Sequence, residues 1–177
     1  MFQESQGKPL LLGETTIEQI FHIELPKGLH HFRLEFVSSK TSPTQGIRLK
    51  SESARINIAG KSLKDVVLWT DTSPTSLDFY ISGKSVNVLK IWNVWKIDKV
   101  MHAWIGNAGM VIEANGRTWT FRCNDGPSET KFEDLVVRLT VTPVQRASDS
   151  PLSASDTSLK PMARMRPAAK RRTAKQL

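Results

Sequence analysis

The stretch "SVNVLKIWNVWKI", Ser85 to Ile97, carries the period of an extended chain. Successive side chains of a strand point to opposite sides. Leu89, Ile91, Trp95 and Ile97 therefore share one face with Asn87 and Asn93. Val86, Val88, Trp92 and Val94 share the other with Lys90 and Lys96. Large apolar groups on both faces mark a central strand covered on both sides for part of its length. Asn93, set between Trp92 and Trp95, is the odd member. Its amide, if buried, needs partners, because an unpaired one costs roughly 1–3 kcal/mol.

The same period of two recurs on either side. "HFRLEFV" sets Phe32, Leu34 and Phe36 against Arg33 and Glu35, and "SLDFYIS" sets Leu77, Phe79 and Ile81 against Asp78 and Tyr80. "ARINIAG", "DVVLWT", "NGRTWTFRC" and "EDLVVRLTV" are short runs rich in Val, Ile, Thr, Trp and Phe, the residues that fit a pleated surface. Between two of them stands Asn115-Gly116, a strong hairpin signal. Only Thr15 to Phe21 has the pattern of a helical turn. Roughly ten strands, spaced about 8–12 residues apart, predict an all-β fold: an antiparallel, jelly-roll-like β-sandwich.

Composition sets the limits of that domain. The chain has 177 residues, 39% of them hydrophobic, which suffices for one core and not for two. No apolar run approaches the roughly 18–20 residues of a membrane helix. The start, "MFQESQGKPLLLGETT", lacks the basic and apolar regions of an export signal. One cysteine, Cys123, cannot form an intrachain disulfide; a cytoplasmic, reducing setting is the simplest reading.

After Val144 the composition changes to Ser, Pro, Ala, Lys and Arg without an aromatic residue. Such a segment cannot bury enough apolar surface to offset its ordering entropy. The expected organisation is a sandwich over residues 1–145 and a disordered basic tail over 146–177. From Arg146 onward there are eight basic and two acidic residues, which leaves 17 basic and 15 acidic in the body. The overall charge of +8 thus belongs mostly to the tail. Arg164, Arg166, Lys170, Arg171, Arg172 and Lys175 are its candidate polyanion contacts. With no interleaved aromatic to stack on bases, nucleic-acid binding there would be non-specific and salt-sensitive.

Candidate chemistry concentrates in "RCNDGPSETKFEDLVVRLTV", Arg122 to Val141. Asn124, Asp125, Glu129, Glu133 and Asp134 offer oxygens of the kind a hard cation such as calcium collects. The metal candidates are Asn124, Asp125, Glu133 and Asp134. If Leu135, Val137, Leu139 and Val141 face the core, Glu133 is in phase with them and Asp134 is not. An in-phase carboxylate needs a partner, whether metal, cationic side chain or backbone amide. Adjacent strand residues diverge, so both acids reach one pocket only if one precedes the strand or sits at a bulge.

The segment "DG…FEDLVVRL" resembles the C-terminal signature of some bacterial β-sandwich domains, which end in an Asp-Phe-Asn-Asp-Val/Leu strand. That resemblance implies calcium binding. Lys131 stands where the first Asp of the signature would be, and Glu133 where its Asn would be. The wider pattern "LKIWNVW…AWIGNAGM…FRCNDG…FEDLVVRL" is similar to uncharacterised bacterial β-sandwich proteins of like size, a likeness that implies no activity.

Five tryptophans, Trp69, Trp92, Trp95, Trp104 and Trp119, are many for one domain. Buried, they make core; exposed beside Asn and Asp, they make a sugar-binding platform. "HAWIGNAGM" suits the second role, with Trp104, Asn107 and the flexible Gly106 and Gly109, and Asn93 completes the ligand-binding candidates. Cys123 and four histidines (His22, His30, His31, His102) are the residue types of a nucleophilic pair, but no spacing assembles them. The expected function is a non-enzymatic binding module for an unidentified ligand or protein partner, with its site at one sandwich end; the alternatives are polyanion binding through the basic tail and an enzyme of unrecognised type.

Overall fold

The computed structural model describes residues 8–126 and 130–144. The chain divides into Met1–Gln145 and Arg146–Leu177, and every described residue belongs to the first unit. The tail candidates from Arg164 to Lys175, and Glu129, lie outside the described residues.

Fourteen strands and no helix make up the described residues. They are β1 (Leu10–Leu12), β2 (Thr15–Ile17), β3 (Phe21–Leu25), β4 (Gly28–Ser39), β5 (Thr44–Ser51), β6 (Arg55–Ile58) and β7 (Lys61–Leu63). Then follow β8 (Asp65–Trp69), β9 (Ser76–Gly83), β10 (Asn87–Ile97), β11 (Val100–His102), β12 (Gly109–Asn115), β13 (Thr118–Asn124) and β14 (Leu135–Pro143). Seven strands form one sheet in the order β12-β13-β14-β4-β9-β6-β7. Five form the other, β11-β10-β5-β8, with β3 also on β10. β3 takes the Asn87–Ile91 half of β10 and β11 takes Trp95–Ile97. β1 and β2 make a separate ribbon, and every pairing is antiparallel.

The count exceeds the expected ten because β1, β2, β7 and β11 are three residues long, too short to show a period. Tertiary pairing also overrides the helical pattern at Thr15 to Phe21, whose first three residues are β2. The hairpin signalled by Asn115-Gly116 forms between β12 and β13. Asn115 pairs with Thr118 as part of the ladder, and Gly116 leads the two-residue turn at a φ of 60°. A hairpin turn opens favourably on a positive φ, which glycine adopts without a steric cost.

The two large sheets bury a shared apolar layer. Phe32, Leu34, Phe79, Ile81, Phe121, Val137 and Leu139 come from one sheet, and Ile47, Leu49, Leu89 and Ile91 from the other. Phe32 and Phe79 are partners across β4 and β9, and their rings stack with centroids 5.1 Å apart. Burying each such side chain is worth about 1.5–3 kcal/mol. The inward sets of β4, β9 and β14 are those their alternation predicts. On β10 the run Ile91 to Trp95 is buried without a break, so both faces of its middle are covered. Among the described residues no helix is long and apolar enough to cross a membrane.

Candidate functional site

At one end of the sandwich the space between the sheets is polar. Asp125, fully buried just after β13, accepts a hydrogen bond from Gln45 Nε2 at 3.0 Å. The Lys40 ammonium lies 2.5 Å from Asp125 Oδ2 and 3.0 Å from Asp134 Oδ1. Asp134 also accepts the backbone N–H of Asp125 through Oδ2 at 3.0 Å. One lysine is thus clamped by two carboxylates, at the junction of the ends of β4 and β13 with the start of β14. Burial lowers the Lys40 pKa most, but hydrogen bonds to Asp125 and Asp134 and their charges together outweigh it. The net shift is upward from the ordinary lysine value.

Glu133 does not belong to this cluster. Phe132 takes a φ of 53° and β14 begins only at Leu135, so the alternation of the strand does not extend back to Glu133 and Asp134. Both acids precede the strand, and their directions reverse the expected phase. Asp134 turns inward to Lys40, while Glu133 is 67% exposed and faces Arg122 Nη2 at 3.5 Å. The partner of Glu133 is therefore a cationic side chain. The four metal candidates do not converge: Asp125 and Asp134 meet on Lys40, Asn124 turns elsewhere and Glu133 points outward. Among the described residues no group of three or more His, Cys, Asp and Glu is disposed to hold a metal. A cation at Asp125 and Asp134 would have to displace the lysine.

The asparagines hold a loop. Asn93, 2% exposed, donates through Nδ2 to the Asn124 carbonyl at 3.0 Å. Asn124, also buried, donates through Nδ2 to the Asn107 carbonyl at 3.0 Å. The chain Asn93–Asn124–Asn107 thus runs from the centre of β10 to the loop between β11 and β12. Gly126 closes on the same loop. Its φ is 92°, and a Cβ there would stand 2.1 Å from the Ile105 carbonyl oxygen. Only glycine permits that approach. Two amide oxygens in this region, Gln45 Oε1 and Asn124 Oδ1, have no hydrogen-bond partner.

The loop so anchored carries Trp104. Its φ is 60°, a left-handed conformation that costs a bulky residue about 1 kcal/mol or more. Trp104 is 45% exposed, and its ring centroid lies 5.5 Å from that of Trp92. Trp92 belongs to the outward set of β10, as do Lys90 and Lys96. Its cross-strand partner Arg48 holds its guanidinium 5.2 Å from the Trp92 ring. Arg48 makes two 2.8 Å hydrogen bonds to Asp65 on β8. These hold the Asp65 carboxyl below its usual range against the opposing effect of burial. Farther along the face, Trp69 lies over Gly46, and Lys96 sits 5.0 Å from its ring while pairing with Asp71 at 3.1 Å. The outer face of the five-stranded sheet therefore presents indole rings between ion pairs.

The other tryptophans divide as the strand pattern implies. Trp92 and Trp95 are 4% and 1% exposed, and Trp69 and Trp119 are half-buried. Of the ligand-binding candidates, Trp104 and Asn107 reach the surface, while Asn93 is a buried support. Arg48, Asp65 and Lys40 were not among the sequence candidates. The alternation of "TQGIRLKS" sets Arg48 outward with Lys50, but no local signal pairs it with Trp92. Cys123 is fully buried, and burial first, then the Asp134 charge, pushes its thiol pKa up. The thiolate form that nucleophilic chemistry needs is thereby disfavoured. No family model, curated protein or solved structure matches the chain.

Proposed function

We propose that the chain is a non-enzymatic binding module that takes a saccharide on the outer face of the five-stranded sheet. The exposed Trp104 ring, backed by Trp92, carries this reading. A sugar offers an apolar C–H face to an indole and hydroxyls to nearby charged or amide groups. Here the Arg48–Asp65 pair and Asn107 are the polar neighbours. The backbone strain at Trp104 supports the same reading, since strained conformations collect at functional sites. In this reading the Lys40–Asp125–Asp134 cluster, Asn93 and Asn124 position the Trp104 loop and do not touch ligand.

Calorimetric titration with a panel of neutral and acidic oligosaccharides tests it. Trp104→Ala should weaken binding roughly tenfold or more, with Trp104→Phe keeping part of the affinity. The reading fails if no saccharide binds at millimolar concentration, or if Trp104→Ala binds as well as the parent.

The basic segment supports a second, separate reading. Eight cations from Arg146 onward suit non-specific binding of a polyanion. Deleting residues 146–177 should abolish such binding, and binding that survives the deletion or is insensitive to salt counts against it.

A further inference from the structure

The seven-stranded sheet ends on β7 and the five-stranded sheet on β8. Between these two edges the sandwich is open. A cleft of about 420 Å³ lies there, walled by Ile58, Leu63, Val66, Leu68 and Leu77 and bounded by the Thr72–Pro74 turn. That volume is in the range of sites for small molecules, which are concave, mostly apolar and furnished with a few polar groups. It lies away from the Trp104 face and is independent of the saccharide reading.

Register identifies the polar group. Residues directly opposite in an antiparallel pair share a face. β6 and β7 pair Ile56 with Leu63 and Ile58 with Lys61. Ile56 is fully buried, so the face it shares is the inner one. Lys61 thus stands on the cleft side of its strand, at the rim. Asp78, which also lines the cleft, is hydrogen-bonded to His31 at 2.9 Å and does not pair with Lys61. Lys61 has no carboxylate partner among the described residues. An apolar cavity whose rim holds a lysine that no described carboxylate pairs with is complementary to an amphiphile with one negative charge.

We infer that the β7–β8 cleft binds a small amphiphilic anion. Its aliphatic or aromatic body lies among Leu63, Val66, Leu68 and Leu77, and its anionic group meets the Lys61 ammonium. The probes are anilinonaphthalene sulfonate, read by its fluorescence, with decanoate and decanol as competitors, all on the full chain. The dye should bind saturably at one site per chain and be displaced by decanoate. Leu63→Trp fills the cleft and should remove this site. Lys61→Gln, at an exposed position, should weaken decanoate roughly tenfold and leave decanol unchanged. The inference is overturned if dye binding is unsaturable or persists in Leu63→Trp, as it would if the basic tail held it. It is also overturned if Lys61→Gln leaves the decanoate affinity unaltered.

Discussion

Two places in this fold set cations against carboxylates, and they differ in how far water reaches them. At the sandwich end, Asp125 is wholly buried and Lys40 is three-quarters covered, so the pair is committed to the fold. On the outer face, Arg48 and Asp65 are each about 30% exposed, and Arg48 lies over the Trp92 indole, which the exposed Trp104 ring flanks. The same chemical groups are a fastener in one place and a rim in the other. Burial decides which, because a buried charge that loses its partner is costly while a half-exposed one falls back on water.

The sharpest way to break the comparison is at Lys40. Lys40→Met leaves a buried carboxylate without its cation and should cost about 3–5 kcal/mol, read from urea unfolding. Lys40→Met with Asp125→Asn should recover part of that loss; an additive double variant would mean that the two residues are not coupled. Arg48→Met on the outer face should cost no more than about 1 kcal/mol. Equal losses at the two sites would erase the distinction.

The pH dependence sharpens it. The folded-state pKa of Lys40 is raised above the ordinary 10.5, so the folded state holds the proton more tightly. Its contribution is complete below 10.5 and is lost as pH rises through the folded value. Unfolding stability should therefore fall above pH 10.5 in the parent, and this part of the fall should be missing in Lys40→Met. Asp65 has the opposite sign. Its pKa is lowered from 3.8, so its contribution is present above that value and is lost as pH falls below it. Asp65→Asn should flatten that acid limb.

The smallest effect belongs to Glu133. Exposed and 3.5 Å from Arg122, it should tolerate Glu133→Gln within about 0.5 kcal/mol. With Lys40 between the two acids, millimolar calcium or a chelator should leave the melting temperature unchanged. A calcium-dependent rise lost in Asp134→Asn would show that a metal competes with the lysine.

The layered architecture was legible in the sequence because it rests on a local signal. Leu77, Phe79 and Ile81 reveal their face within one strand, and Ile91 to Trp95 reveal two. The site was legible only in part. Trp104, Asn107, Asn124, Asp125 and Asp134 all fall in the assembly at and beside the sandwich end, since loop amides, acids and indoles stand out from a strand background. Their partners did not stand out. Gln45 reaches Asp125 across 80 residues of chain, and no short-range pattern encodes that pairing or the Lys40 clamp. Glu133 is misplaced for a related reason: alternation does not extend back from Leu135, where the strand begins, to the residues before it.

The approach of Gly126 to Ile105 also limits how this protein can vary. At Gly126 the backbone meets the Trp104–Ala108 loop with no room for a side chain, so that position stays glycine as long as the loop keeps its path. Residues inserted beside Trp104 would disturb that contact. The two-residue Asp98–Lys99 turn at the tip of the β10–β11 hairpin meets no such restriction. New recognition loops would best be grafted there, leaving the indole and its support in place.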